Sequence, residues 1–257
     1  MTLNDTLAAC SGPVVCFPSS FSLQGGVYGG VVLAVAVHRI ERVTKHPIRA
    51  LQINFSALAR PEVETHFECK VMRRGSKTET INYAFYQDEQ CVAHGAAFTG
   101  RARDTMPDQC FLAPPSAPTP EALAGVPSTM ILPPFAAHFD MKPCLGEPPL
   151  SGAMPAAGGY IAFKDTRMKT MGAAHLAAMA DAWWPSFYAT SKTMRPMATT
   201  SLQLVFHAQA LPIKNQTCLL EVRGGFLSGG FGSEVDRLWS DEGALLVTAH
   251  QCIAVIA

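Results

Sequence analysis

One pattern occurs twice in the chain and constrains its fold more than any other feature. Residues 51–61 and 202–212 both follow L-Q-x-x-F-x-A-x-A-x-P, in the same register and without a gap. In each copy, apolar residues alternate with others, which is typical of a β-strand that buries one face. The closing proline can end such a strand. The repeat therefore predicts that one folding unit is present twice.

The segments that follow the two copies extend the repeat. Further strand candidates lie at residues 63–73, 78–86 and 91–98 in the first half and at residues 217–223, 232–239 and 244–256 in the second half. An Asp-Glu turn joins the last two strands of each half, at residues 88–89 and 241–242. Two glycine pairs, at 224–225 and 229–230, indicate bulges or turns in a bent sheet.

A helix candidate precedes each copy, at residues 30–43 and 173–184. The second is rich in alanine, the best helix former, and Thr170 could cap it while Pro185 would end it. A hydrophobic helix beside alternating strands must be buried by a sheet that wraps round it. We therefore expect an α+β fold in which this helix-and-sheet unit occurs in tandem.

A proline-rich stretch separates the two units. Residues 103–155 hold 12 of the 19 prolines, including three Pro-Pro pairs, which makes regular structure there unexpected. The predicted organisation is an N-terminal unit (1–102), a linker (103–155) and a C-terminal unit (156–257). We expect parts of the linker to pack against the units through five of its apolar residues, Phe111, Leu112, Ile131, Leu132 and Phe135.

Composition excludes several classes of protein. The 20 basic and 20 acidic residues balance, so the chain lacks the basic excess expected of a nucleic-acid partner. The first 17 residues have no basic residue, and no apolar run is long enough for a membrane span, so we expect neither a signal peptide nor a membrane anchor. The eight cysteines stand singly, without the close spacing of metal sites or disulfide frameworks, which indicates buried reduced thiols in a cytoplasmic protein. We expect no metal and no other cofactor.

Six short motifs, in this order and spacing, resemble those of the acyl-CoA thioesterase II group. They are YGGVV at 28–32, MRRG at 72–75, AD at 180–181, AT at 198–199, LWSDEG at 238–243 and AHQ at 249–251. The resemblance implies a double hotdog fold, in which each long helix is wrapped by a curved antiparallel sheet. It also implies hydrolysis of acyl-CoA thioesters to free acid and CoA, by a chain that forms a homodimer or higher homo-oligomer.

In that family an aspartate, a threonine and a glutamine hold and activate a water molecule, and the matching positions here are Asp181, Thr199 and Gln251. The chemistry of these residues fits those roles. Asp181 lies near the end of the predicted helix, where the helix dipole disfavours the anion and so favours a base that takes up a proton. Thr199 and Gln251 offer a hydroxyl and an amide, which can orient a water molecule.

The remaining site residues follow from the same layout. The backbone N–H groups of Gly29 and Gly30 open the first helix and could bind an oxyanion, which would place the site between the two halves. Trp183 and Trp184 could line an acyl pocket. The first half has no acid at residues 30–40 and offers only Ala97 or Phe98 at the position aligned with Gln251, so only the second half carries the full set and we expect one site per chain.

Three other functions remain open from the sequence. A hydratase or dehydratase on the same fold would pair a histidine, for which His38 is the candidate, with Asp181. A non-catalytic protein could keep the pocket and bind acyl-CoA without releasing a thiol, and an acyl-transfer or editing role is not separable from hydrolysis. His207 and His250 are expected to have packing or surface roles. The absence of a G-x-S-x-G elbow from the sequence argues against a serine hydrolase.

Overall fold

The computed structural model describes residues 1–10, 12–103, 105–207, 211–214 and 217–256. Three α-helices lie within these residues: α1 (Leu3–Ala9), α2 (Gly29–Val43) and α3 (Ala173–Ala180). The strands of the described residues are β1 (Val14–Cys16), β2 (Ser22–Leu23), β3 (Gly26–Val27), β4 (Ile48–Phe55), β5 (Glu64–Arg74), β6 (Thr78–Gln87), β7 (Gln90–Gly100), β8 (Phe139–Pro143), β9 (Ala156–Phe163), β10 (Thr170–Met171), β11 (Met197–Phe206), β12 (Ile213–Lys214), β13 (Cys218–Ser228), β14 (Phe231–Trp239) and β15 (Leu245–Val255).

Eleven of these strands form one antiparallel sheet that runs through both halves. Its order is β1-β5-β6-β7-β4-β11-β15-β14-β13-β9-β8. The first-half order β5-β6-β7-β4 is mirrored by β13-β14-β15-β11 in the second half. The duplicated α+β unit that the repeat predicts is therefore confirmed.

The two copies of the repeat pair with each other at the centre of the sheet. Strands β4 and β11 are antiparallel neighbours, with Leu51 opposite Leu204 and Ile53 opposite Leu202. Because Leu51 and Leu202 occupy the same position of the repeat, each copy meets the other through equivalent residues, as in a self-complementary interface. Residues 208–210 of the second copy lie outside the described residues.

The α2 helix is buried on every side over residues 30–37, as expected for a helix segment that is hydrophobic all round. Ile40 is buried as well, whereas the last three residues of the helix are exposed. The α3 helix packs beside α2, and all of its residues except the half-buried His175 are buried. The two helices thus bring the halves together on the inner side of the sheet, in addition to the β4–β11 pairing.

The α3 helix differs from its predicted limits at both ends. Its N-cap is Gly172, because Thr170 belongs to the short strand β10. It ends at Ala180, with Asp181 as its C-cap, rather than at residue 184. In a continued helix the ring of Pro185 would clash with the carbonyl of residue 181, so the helix has to stop before that point.

The proline-rich linker is more structured than its composition predicts. It contains strand β8, which pairs with β9 at an edge of the sheet where a proline is tolerated. Phe135 is buried and Leu132 packs against the core, as expected. The expectation is wrong for Phe111 and Ile131, which are 90% and 97% exposed, and Leu112 is half exposed.

The two glycine pairs of the second half lie where a bent sheet needs them. The pairing of β13 with β14 shifts register between Gly224 and Phe226, so the first pair forms a bulge. Gly229 and Gly230 form the turn of this hairpin with φ angles of +59° and +81°, a conformation that glycine adopts without strain. Among the described residues no helix is both long enough and apolar enough to cross a membrane.

Tyr28 connects the two helices and the linker at one point. It is the N-cap of α2, is almost fully buried, and its hydroxyl donates a hydrogen bond to the carbonyl oxygen of Ala178 in the last turn of α3. Its ring stacks on Phe135 of the linker, with centroids 4.0 Å apart. This contact fixes the start of α2 against the end of α3.

Replacing this hydroxyl tests the connection. Tyr28→Phe keeps the ring but leaves a buried carbonyl without this donor, so we expect the free energy of unfolding to fall by about 1–3 kcal/mol. Tyr86→Phe is the control, because no hydrogen bond of the Tyr86 hydroxyl is present among the described residues. Urea denaturation of both variants measures the difference, and equal losses would contradict the role of the Tyr28 hydroxyl.

Candidate active site

Asp181 lies where the end of α3 meets the start of α2. Its carboxyl is so close to the α2 backbone that a side-chain carbon at Gly29 would come within 2.7 Å of its Oδ2 atom. The backbone N–H of Gly30 donates a hydrogen bond to the same carboxyl. Asp181 is half-buried, and it lines an internal cavity.

This environment changes the acidity of Asp181. Burial is the largest cause, the charge of Glu234 acts in the same direction, and together they raise the pKa of Asp181 to about 7. The hydrogen bond from Gly30 lowers this pKa by less. The C-terminus of α3 disfavours the anion, whereas the N-terminus of α2 favours it. The sequence predicts only the first of these two dipole effects.

Thr199 and Gln251 are brought together by neighbouring strands. Thr199 lies on β11 at a register irregularity, and Gln251 lies on the adjacent strand β15. The Thr199 hydroxyl donates to Oε1 of Gln251 over 2.8 Å, and Nε2 of Gln251 donates to Oδ2 of Asp236 over 2.5 Å. The three side chains form one hydrogen-bonded chain that fixes the orientation of the glutamine amide.

One cavity of about 950 Å³ connects these groups. Asp181, Thr199 and Gln251 all line it, and so do Gly29, Glu234 and both tryptophans of the predicted acyl pocket. Most of its wall is apolar and comes from both halves, including Phe17, Val32, Phe55, Phe85, Trp183 and Trp184. The cavity therefore has a polar end at the helix junction and an apolar remainder, an arrangement suited to a ligand with a long apolar part.

The two glycines predicted as oxyanion donors differ in their surroundings. Gly29 lines the cavity, whereas the N–H of Gly30 is directed at Asp181. The Gly30 donor is therefore engaged in this structure, and only Gly29 has its backbone at the cavity wall.

Two buried carboxyls of β14 belong to this site although no motif singles them out. Glu234 and Asp236 are 2% and 1% exposed, and Glu234 lies directly opposite Gln251. Oε2 of Glu234 accepts hydrogen bonds from the backbone N–H and the hydroxyl of Ser186, over 3.0 and 2.6 Å. The signal in the sequence is their alternation with Leu238, which places all three on the inner face of the strand.

The two carboxyls of β14 also have altered acidity. Burial raises the pKa of Glu234 to about 7. Burial and the charge of Glu234 raise the pKa of Asp236 well above its ordinary value, while the hydrogen bond from Gln251 lowers it. Three acids whose pKa values are raised mainly by burial thus lie within electrostatic reach of one another, which marks a candidate functional site.

The three histidines considered from the sequence as acid–base groups are not part of this cluster. His38 is eight residues beyond Gly30 on α2, which separates it from the Asp181 end by about 12 Å along the axis. His207 bonds to Thr248, and His250 is exposed, so both lie at the surface as expected. In the first half the residue that pairs with Leu51 is Ala97, just as Gln251 pairs with Leu202 in the second, so the first half lacks the amide.

Comparison with known proteins identifies relatives over most of the chain. The family described as the acyl-CoA thioesterase N-terminal domain matches residues 17–100, and the one described as the acyl-CoA thioesterase C-terminal domain matches residues 107–255. A search of curated protein sequences finds no match.

Solved structures share the whole architecture. A protein of unknown function with a hot dog fold from Alicyclobacillus acidocaldarius is 20% identical with a TM-score of 0.87, covering 99% of this chain and 98% of that one. The tesB protein of Mycobacterium avium subs paratuberculosis is 16% identical with a TM-score of 0.80, covering 100% of both chains. An acyl-CoA thioesterase II of Mycobacterium marinum is 15% identical with a TM-score of 0.72, covering 95% and 92%. These likenesses confirm the tandem hotdog fold.

The raised pKa of Asp181 predicts how stability changes with pH. The folded state holds this proton up to about pH 7, whereas an ordinary aspartate loses it near 3.8. The folded state thus binds the proton more tightly, so this group costs stability as pH rises from about 4 to 7. Asp181→Asn removes that cost, and at pH 8 we expect it to exceed the wild type by on the order of 2–4 kcal/mol.

Urea denaturation between pH 5 and pH 8.5 measures this difference. The gap between Asp181→Asn and the wild type should widen from pH 5 to about pH 7 and then level off. Asp140→Asn is the matched control, because Asp140 is exposed on β8. A gap that is constant over this range would contradict the raised pKa.

Proposed function

Because this chain belongs to the acyl-CoA thioesterase family, we propose that it hydrolyses acyl-CoA thioesters to free acid and CoA with a water molecule activated by Asp181, Thr199 and Gln251. The observation that carries the proposal is that these three side chains all line one large, mostly apolar cavity. An acyl chain fits the apolar part, and the thioester carbonyl then lies beside the acids.

Asp181 is the base in this proposal. A carboxylate with an ordinary pKa near 4 is a weak acceptor for a proton of water, whereas one with a pKa of about 7 is well matched to neutral pH. As Asp181 takes the proton, the water oxygen bonds to the thioester carbon. The carbon–sulfur bond then breaks, and the sulfur leaves as a thiolate that takes up a proton.

Thr199 and Gln251 hold the water in position. The Thr199 hydroxyl proton is used by Gln251, so its oxygen has lone pairs with which to accept a hydrogen bond from water. Gln251 uses one amide hydrogen on Asp236, and the second hydrogen is able to donate to the water oxygen. Neither group competes with Asp181 for the proton.

The developing oxyanion needs donors that are in place before the reaction. In the proposal this donor is the backbone N–H of Gly29 at the N-terminus of α2, where the helix leaves its first N–H groups unpaired and its dipole favours negative charge. Trp183 and Trp184 contribute wall to the cavity beside Asp181 and are the proposed acyl contacts. The separation of His38 from Asp181 argues against the histidine–acid pair of a hydratase.

A thiol-release assay tests the proposal directly. With a panel of acyl-CoAs of different chain length, we expect the wild type to release CoA and Asp181→Asn to lose about 10²–10⁴-fold in kcat/KM. Asp140→Asn should retain wild-type activity. Binding of the acyl-CoAs without release of thiol would contradict hydrolysis and favour a binding protein.

The pH dependence of the rate tests the role of Asp181 as a base. Because only the ionised form accepts a proton, kcat/KM should rise from pH 5.5 with a midpoint near pH 7, and level off at higher pH once Asp181 and its neighbour Glu234 are ionised. The profile is measured at substrate concentrations well below KM. A rate that stays constant from pH 5.5 upward would contradict a base of this acidity.

A further inference from the structure

We propose that Asp236 is a positioning residue of this site, which holds the Gln251 amide with Oε1 toward Thr199 and Nε2 toward the carboxyl. The inference rests on the proposed function, because it assigns to Asp236 a role that acts through Gln251. None of the motifs that indicate the site contains this residue.

The burial of the Asp236 carboxyl lowers the stability of the folded protein. Asp236 is 1% exposed and lies between Glu234 and Leu238 on the inner face of β14. Burying a carboxyl without a full set of partners destabilises a fold, and an apolar residue of similar size at such a position is often neutral or stabilising. Packing alone therefore does not account for an acid here.

The hydrogen bonding of the Asp236 carboxyl indicates that it orients the Gln251 amide. Its Oδ2 atom accepts from Nε2 of Gln251, and Oδ1 has no partner among the described residues. The charges nearby are Glu234 and Asp181, which repel its anion, and Arg237, which attracts it less strongly. The Gln251 amide is thus the one group to which this carboxyl is hydrogen-bonded in the described part of the chain.

The bond decides which end of the amide faces Thr199. A glutamine amide can turn over and exchange its oxygen and nitrogen, and only its neighbours select one orientation. An acceptor at Asp236 selects Nε2 on its own side, so that Oε1 accepts from Thr199. Without that acceptor both orientations become available, and the Thr199 hydroxyl is no longer held in one direction.

Glu234 affects the ionisation of Asp236 and therefore the hydrogen bond between Asp236 and Gln251. It lies two residues before Asp236 on the same face and directly opposite Gln251. Two buried carboxyls this close do not readily both ionise, so the pair retains a proton. A proton on Oδ1 leaves Oδ2 as an acceptor for Gln251, which is compatible with the bond that the structure shows.

A double-mutant cycle tests whether Asp236 acts through Gln251. We expect Asp236→Ala to lower kcat by about 10–100-fold, as a small misplacement of a catalytic group does, with little change in KM. In a Gln251→Ala background the same change should cost less than about 3-fold, because the group that it positions is already absent. Asp236→Asn keeps an acceptor oxygen and should restore most of the rate. Equal losses in both backgrounds, or an Asn variant as slow as Ala, would overturn the proposal.

An NMR measurement of the side-chain amide decides the point without reference to activity. The Gln251 NH₂ signals are identified by their absence from the spectrum of Gln251→Ala. These signals should shift in Asp236→Ala, which removes the acceptor, and remain near the wild-type position in Asp236→Asn, which keeps one. If the alanine variant does not fold, Asp236→Leu removes the acceptor at similar side-chain size and should shift the same signals. Unchanged signals in the variants that lack the acceptor would overturn the proposal. If the wild type releases no thiol, hydrolysis fails as the function while the NMR result still decides the role of Asp236.

Discussion

The placement of one carboxyl between two helix ends is the constraint on which the rest of the site depends. Asp181 closes α3 and faces the start of α2, so its position is fixed only when both halves are assembled. Gly29 has no side chain to obstruct this approach, and Tyr28 holds the two helices together through Ala178. Burial at this junction keeps the pKa of Asp181 near neutrality, which is the property that a base needs at neutral pH.

The two halves share the same sheet architecture, but they differ in the polar residues that form the candidate active site. The β4–β11 pairing joins equivalent residues of the repeat, so the sheet itself is nearly symmetric. The polar groups are not: the strand position that holds Gln251 in the second half holds Ala97 in the first. The first half instead contributes the start of α2 and apolar wall to the cavity. The cavity therefore has one polar end, formed by the second half and the start of α2, and an apolar wall to which both halves contribute.

Local pattern was sufficient to predict the repeated unit and the two buried helices, whereas Asp181, Thr199 and Gln251 were named as a candidate set from the resemblance of six short motifs to those of a known family. The end of α3 and the exposure of Phe111 and Ile131 were not predictable, because they depend on tertiary packing rather than on local preference. The alternation of Glu234, Asp236 and Leu238 in the sequence indicates that the two acids share a buried strand face, but which residues they face depends on the strand register. Only the pairing of β14 with β15 puts Glu234 opposite Gln251 and brings Asp236 within reach of its amide.

The most direct test of water activation by Asp181 is a single turnover of acyl-CoA by excess enzyme in H₂¹⁸O. If Asp181 acts as a base, the water oxygen bonds to the acyl carbon, and the free acid from the first turnover carries one ¹⁸O while the protein stays unlabelled. If Asp181 instead attacks the thioester itself and water then opens the resulting anhydride at the protein carbonyl, the first acid is unlabelled and ¹⁸O is found in the peptide that contains Asp181. That second result would contradict the role of Asp181 as a base.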